Sequence, residues 1–222
     1  MQSDFDLLNL SSNPSVNFVD AGGSLPVLLI DNVYERPEAV REMALGLDFN
    51  RPPNLYPGKV ASPPVSKWLR TVTEWALRMA NDNYLNRIPP IAKDGQRITA
   101  FREVYTDFAV TDIHPSELSP NQRLPHIDPV PIFGLIYLNQ EERGGTLFFD
   151  KVGQGSQPLS ERGYLTSSND EYRLRGRIDA AFNRMAIYPG FVPHTGHIEG
   201  DWIEDERRFT SPRLTQRFVF LP

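Results

Sequence analysis

Ile132-Phe133-Gly134-Leu135-Ile136-Tyr137-Leu138, followed closely by Gly144-Gly145-Thr146-Leu147-Phe148-Phe149-Asp150, is the stretch on which the fold turns. Both runs are short and rich in β-branched and aromatic residues. The linker between them is polar and ends in two glycines, which reads as strand, turn, strand rather than as a helical period. Working outward, the same texture predicts further strands near 98–106, 181–188 and 213–221. The polar stretch 151–178 reads as an insertion of surface loops. Toward the N-terminus the period changes. Residues 26–31 (PVLLID) form a short buried strand, and Pro37 suits the first turn of a helix that carries Val40, Met43, Ala44 and Leu47 on one face. A Pro- and Gly-rich loop (52–64) precedes a second helix over 66–81, with Trp68, Leu69, Val72, Trp75, Ala76 and Met79 as its apolar stripe. Residues 1–24 read as an irregular arm. The prediction is one domain over 1–222 in the α+β class, mainly β. A helical support (25–96) packs on an antiparallel core (97–222), with insertions at 151–178 and 199–212.

Composition narrows the function. Among 222 residues, 23 Lys and Arg face 28 Asp and Glu, a net charge of −5 that lacks the basic footprint of a nucleic-acid binder. Twenty prolines argue against a helix bundle. Cysteine is absent, so thiolate metal sites, disulfides and a cysteine nucleophile are excluded, and any protein-held metal must use His, Asp or Glu. MQSDFDLLNLSS has no basic segment followed by an apolar one, and no apolar run approaches a bilayer span. A cytoplasmic protein without membrane contact is expected. Gly153-Gln154-Gly155 lacks the third glycine and following helix of a nucleotide loop, and no Gly-x-Ser-x-Gly elbow occurs.

Chemistry must then come from four histidines and their neighbours. In Pro125-His126-Ile127-Asp128-Pro129, residues two apart on an extended chain share a face, so His126 and Asp128 present an imidazole and a carboxylate to one point. The flanking prolines hold that backbone extended. Later, Tyr188-Pro189-Gly190-Phe191-Val192-Pro193-His194 runs from a strand through a turn to a histidine, with His197 three residues on. In the last predicted strand, alternation puts Arg213, Thr215 and Arg217 on one face and Leu214, Gln216, Phe218 and Phe220 on the other. A guanidinium with a hydroxyl two residues on can grip a carboxylate.

The order His-x-Asp, distal His, then Arg-x-Thr on a late strand resembles the iron(II)/2-oxoglutarate-dependent oxygenase superfamily. Tyr137-Leu138-Asn139 with Gly144-Gly145-Thr146 resembles its prolyl-hydroxylase-like members. Phe101-Arg102-Glu103-Val104-Tyr105 resembles their first core strand, whose tyrosine reaches the co-substrate, and Leu29 to Tyr34 resembles their N-terminal entry. The resemblance implies a double-stranded β-helix (jelly-roll, cupin-like) core. It implies that His126, Asp128 and His194 bind Fe(II), and that Arg213 and Thr215, with Tyr105 nearby, hold 2-oxoglutarate. O2 is then the second co-substrate, and a C–H is hydroxylated, desaturated or closed into a ring with release of succinate and CO2. His197 stays open as the distal ligand. The gap from His194 to Arg213 is longer than the family's usual one, which makes 199–212 an insertion over the site and leaves Arg207 or Arg217 as back-up carboxylate binders. Small stand-alone members of natural-product pathways suggest a small-molecule or amino-acid substrate whose carboxylate meets Arg102, Arg184, Arg207 or Arg208. Two other readings remain: a non-catalytic jelly-roll module that binds a metal or ligand, and a metal hydrolase on His194, His197, Glu199 and Asp201. Oligomeric state is not legible.

Overall fold

The computed structural model describes residues 8–87, 92–93, 96–141, 143–153, 163–198 and 213–222. Chain order is β1 (Ser15–Asp20), β2 (Pro26–Asp31), α1 (Pro37–Leu45), β3 (Gly58–Ala61) and α2 (Lys67–Met79), with a π turn at Ala80–Tyr84. Then come the two-residue strands β4 (Ala92–Lys93) and β5 (Gln96–Arg97), β6 (Glu103–Thr111), a 3-10 turn at Pro115–Glu117 and α3 (Pro120–Arg123). The remainder is strand: β7 (Ile132–Tyr137), β8 (Gly145–Lys151), β9 (Tyr172–Asp179), β10 (Arg184–Pro189), β11 (His194–His197) and β12 (Arg213–Leu221). The protein is mainly antiparallel β with few helices, as expected. A seven-stranded sheet runs β1-β2-β10-β7-β12-β6-β3, and a three-stranded sheet runs β11-β8-β9.

Alternation along the inner strands explains the two-sided core. On β2, Leu28 and Ile30 join a cluster with Trp68, Val72, Trp75 and Ala76 of α2, whereas Val27 and Leu29 join a second cluster with Phe148 of β8 and Ile178 of β9. One face of the large sheet is thus covered by helix and the other by the small sheet. A strand buried on both faces must be apolar throughout, which is why PVLLID and IFGLIY read as continuous runs. Helix α2 starts where expected because the Ser66 hydroxyl accepts the Leu69 N–H at 3.1 Å. Trp68 then stacks on Phe108 of β6 at 6.4 Å between ring centroids. The polar residue on the helix-covered face of β12, Gln216, accepts the Tyr34 hydroxyl at 2.5 Å and donates to Thr106 at 3.0 Å, so it is satisfied although fully buried.

Four expectations are corrected. Residues 15–20 of the predicted arm form β1, an edge strand registered against the whole of β2; residues 1–7 lie outside the described residues. Its Ser and Asn face solvent, while Phe18 and Val19 reach the two clusters. The predicted loop 52–64 contains β3, where a side chain at Gly58 would meet the Val110 carbonyl at 2.0 Å; glycine is what lets the two backbones pair. The predicted insertion 151–178 contains β9, which pairs with all of β8. Its outward Arg173 and Arg177 gave it the look of a loop. The predicted strand 98–106 lies five residues later, at Glu103–Thr111. The insertion at 199–212 lies outside the described residues. Among the described residues no helix is long and apolar enough to cross a membrane.

Candidate metal centre

Backbone pairing builds the site. His126 and His194 exchange two hydrogen bonds, N–H to carbonyl in each direction at 2.9 Å, and the Asp128 N–H donates to the Gly190 carbonyl at 2.7 Å. An antiparallel bridge of this kind sets two side chains opposite each other on one face. The imidazole centroids are 4.5 Å apart, and one ligand atom from each of His126, Asp128 and His194 lies within 4.8 Å of the others. His197 is out of phase with His194 on β11 and is not part of this group.

The second ring nitrogen of His194 fixes the chemistry of the first. Nδ1 lies 2.8 Å from the Val192 carbonyl oxygen, so it carries a proton and donates it. Nε2 then faces Asp128 Oδ2 at 3.3 Å. A neutral ring would aim a lone pair at a carboxylate oxygen there, an arrangement that needs a cation between them, either a proton or a metal. The backbone carbonyl behind the ligand is the usual support for a metal-binding histidine. Desolvation by the surrounding protein and the neighbouring His194 push the His126 ring down to about 4, so its lone pair is free for a metal, although the residue is solvent-exposed. Burial alone would raise the Asp128 carboxyl, but the His194 hydrogen bond, the two imidazoles and Arg217 outweigh it and hold the group below its ordinary value.

The triad lines a cavity of about 290 Å³ between the two sheets. Arg213, Thr215 and Arg217 of β12 line it as alternation predicts. Arg213 is buried, donates from Nη2 to the Gly145 carbonyl at 3.4 Å, and leaves Nε without a hydrogen-bond partner. Arg217 differs. It is clamped to Asp107, its cross-strand neighbour, by Nε–Oδ1 at 2.7 Å and Nη2–Oδ2 at 2.5 Å.

Other predicted site residues are placed elsewhere. Tyr105 is 59% exposed and bonded to Glu103. The cavity residue of β6 is Thr111, six positions and about 20 Å further along the strand. Arg102 is exposed, about 30 Å from that end, with its N–H on the Leu221 carbonyl. Arg184 is ion-paired with Asp31 at 2.6 Å and does not line the cavity. Arg207, Arg208, Glu199 and Asp201 lie outside the described residues. Sequence reasoning assigned no role to three tyrosines that line the cavity: Tyr56 and Tyr164, from loops with no motif around them, and Tyr188, which opens the phrase leading to His194. Burial raises all three phenols, and the Arg213 charge opposes that rise in each. The hydroxyl of Tyr164 is buried without a hydrogen-bond partner.

No curated protein matches the sequence. The solved structure of a bsmA homologue from Methylobium petroleophilum PM1 is similar at 14% identity, covering 96% of this chain and 77% of its own, with a TM-score of 0.37. A likeness that loose says nothing of site or activity. A family model matches over residues 12–162 and 153–220, and the chain belongs to that family, DUF6445, a family of unknown function.

Proposed function

We propose that this protein is a non-haem Fe(II)- and 2-oxoglutarate-dependent oxygenase that oxidises an unactivated C–H of a small, amino-acid-like molecule and releases succinate and CO2. One observation carries the reading. A two-histidine, one-carboxylate group shares a cavity with a buried arginine that is in no ion pair with another described residue. A metal-binding module without turnover has no use for that arginine, and burying a guanidinium without a counter-charge is unfavourable unless an anion meets it.

The residues fit the group. Two imidazoles and a carboxylate on one side of a metal leave further positions open, the donor set of non-haem Fe(II) oxygenases. His126, Asp128 and His194 would hold the iron, with the Val192 carbonyl fixing the His194 ring. Iron bound there supplies the redox chemistry that couples decarboxylation of 2-oxoglutarate to oxidation of the substrate C–H. The protein's part is positioning. Arg213 presents a guanidinium fork and Thr215 a hydroxyl to the distal carboxylate. The two facing sheets, with the triad where β11 meets the segment before β7, support a double-stranded β-helix as the finer description of the fold.

The test is an anaerobic titration of the metal-free protein with Fe(II) and then 2-oxoglutarate. A weak visible charge-transfer band is expected in the wild type, lost in His126→Ala and weakened in Arg213→Ala. Metal binding with no band at any 2-oxoglutarate concentration would overturn the reading and leave a metal-binding module.

A further inference from the structure

The cavity wall carries two arginines of opposite standing. Arg213 has a donor without a partner, whereas Arg217 is held by both oxygens of Asp107. The Asp107–Arg217 pair is half-buried, with side-chain exposures of 29% and 24%. The Arg217 guanidinium also lies over the Tyr56 ring at 5.0 Å from its centroid. Both of its planar edges of contact are therefore set by the protein itself.

We propose that Asp107 is a specificity-determining residue: it neutralises Arg217, leaves Arg213 as the one cation of the described cavity wall open to an anion, and so reserves the rest of the cavity for an uncharged part of the substrate. The proposal rests on the reading that Arg213 takes the co-substrate carboxylate. Its physical ground is competition. A carboxylate fixed across the sheet in bidentate geometry acts at an effective concentration no dissolved anion reaches, and its charge repels a second one. Arg217 also lies close enough to the triad to act on the charges of His126 and Asp128. An unpaired guanidinium there would oppose a divalent cation, so the same pairing protects metal binding. Asn54, Leu55, Phe133 and Leu135, which also line the cavity, are amide or apolar. They suit a neutral group and offer a free carboxylate no cation.

Calorimetric titration of 2-oxoglutarate and glutarate into the Zn(II)-loaded protein tests this, with thermal melting to confirm folding of each variant. The wild type is expected to take one dicarboxylate. Arg217→Gln should leave its affinity within about twofold, while Arg213→Gln should weaken it at least about tenfold. Asp107→Asn keeps the shape and removes the charge. It should add a second, weaker dicarboxylate site that disappears in Asp107→Asn/Arg217→Gln, and it should lower Zn(II) affinity. With N-acetyl-leucine and N-acetyl-leucinamide as probes, the amide should bind the wild type at least as tightly as the acid, and Asp107→Asn should reverse that preference. Loss of dicarboxylate binding in Arg217→Gln, or no gain of anion binding in Asp107→Asn, overturns the proposal. If no dicarboxylate binds the wild type, the co-substrate reading falls, while the gain in Asp107→Asn still decides whether Asp107 silences Arg217.

Discussion

The two faces of the large sheet handle polar groups in opposite ways, and β12 belongs to both. Toward the helices, Leu214, Phe218 and Phe220 pack into a closed cluster, and the one polar member, Gln216, has partners for both ends of its amide. Toward the small sheet, Arg213 Nε and the Tyr164 hydroxyl are buried without partners. Folding has no reason to keep such atoms; binding does. The contrast separates the residues that hold the molecule together from those kept for a ligand.

Substitutions can break that contrast. Phe218→Ala, on the packed face, is expected to lower unfolding free energy by about 3–5 kcal/mol in a denaturant titration. An effect below about 1 kcal/mol would mean that face is not the stabilising one. His194→Ala should leave the metal-free protein folded but abolish the rise in melting temperature on adding metal. In the wild type that rise corresponds to about 2.7 kcal/mol at a metal concentration a hundred times Kd. Equal rises in both proteins would remove His194 from the ligand set. Arg213→Met is expected to weaken 2-oxoglutarate binding by roughly 10- to 100-fold, while the unliganded protein keeps or gains stability in the same denaturant titration. A large loss of stability would assign Arg213 to the frame instead. The smallest effect is expected for Gly196→Ala, whose added methyl would sit 3.3 Å from Ile198 Cδ1 and 3.4 Å from Arg213 Nη2. A shift of the guanidinium should cost less than about tenfold in 2-oxoglutarate affinity by calorimetry, with the melting temperature little changed. No change at all would show that the fork is free to move.

The same contrast governs what could be read from the sequence. The packed face was legible because its periods are long and apolar: the α2 stripe, β2 and β7 each declare themselves. His126, Asp128 and His194 were legible because proline-bounded extended chain leaves little choice of facing, and Arg213, Thr215 and Arg217 because alternation is strict along β12. Edge strands were not. β1 and β9 each bury few residues and carry Ser, Asn or Arg outward, so composition reads them as loops. The cavity tyrosines were hidden for a different reason. Tyr56 and Tyr164 arrive from segments with no period at all, and only the folded chain brings them to Arg213. Tyr105 shows the limit of a phrase-level likeness: it is exposed, and the residue of its strand that lines the cavity is Thr111.

The central position of β12 has a consequence for how this chain can change over time. Because the strand pairs with β6 on one side and β7 on the other, its phase is locked at every position. Deleting or inserting a single residue within β12 would turn over the part of the strand on one side of the change, sending apolar side chains such as Phe218 into the cavity or an arginine into the helix-covered core. Point substitutions can retune the ligand one residue at a time, but length in this strand can drift only in steps of two. Related sequences that vary freely in the segment leading into β12 should therefore still keep Arg213, Thr215 and Arg217 in a common parity.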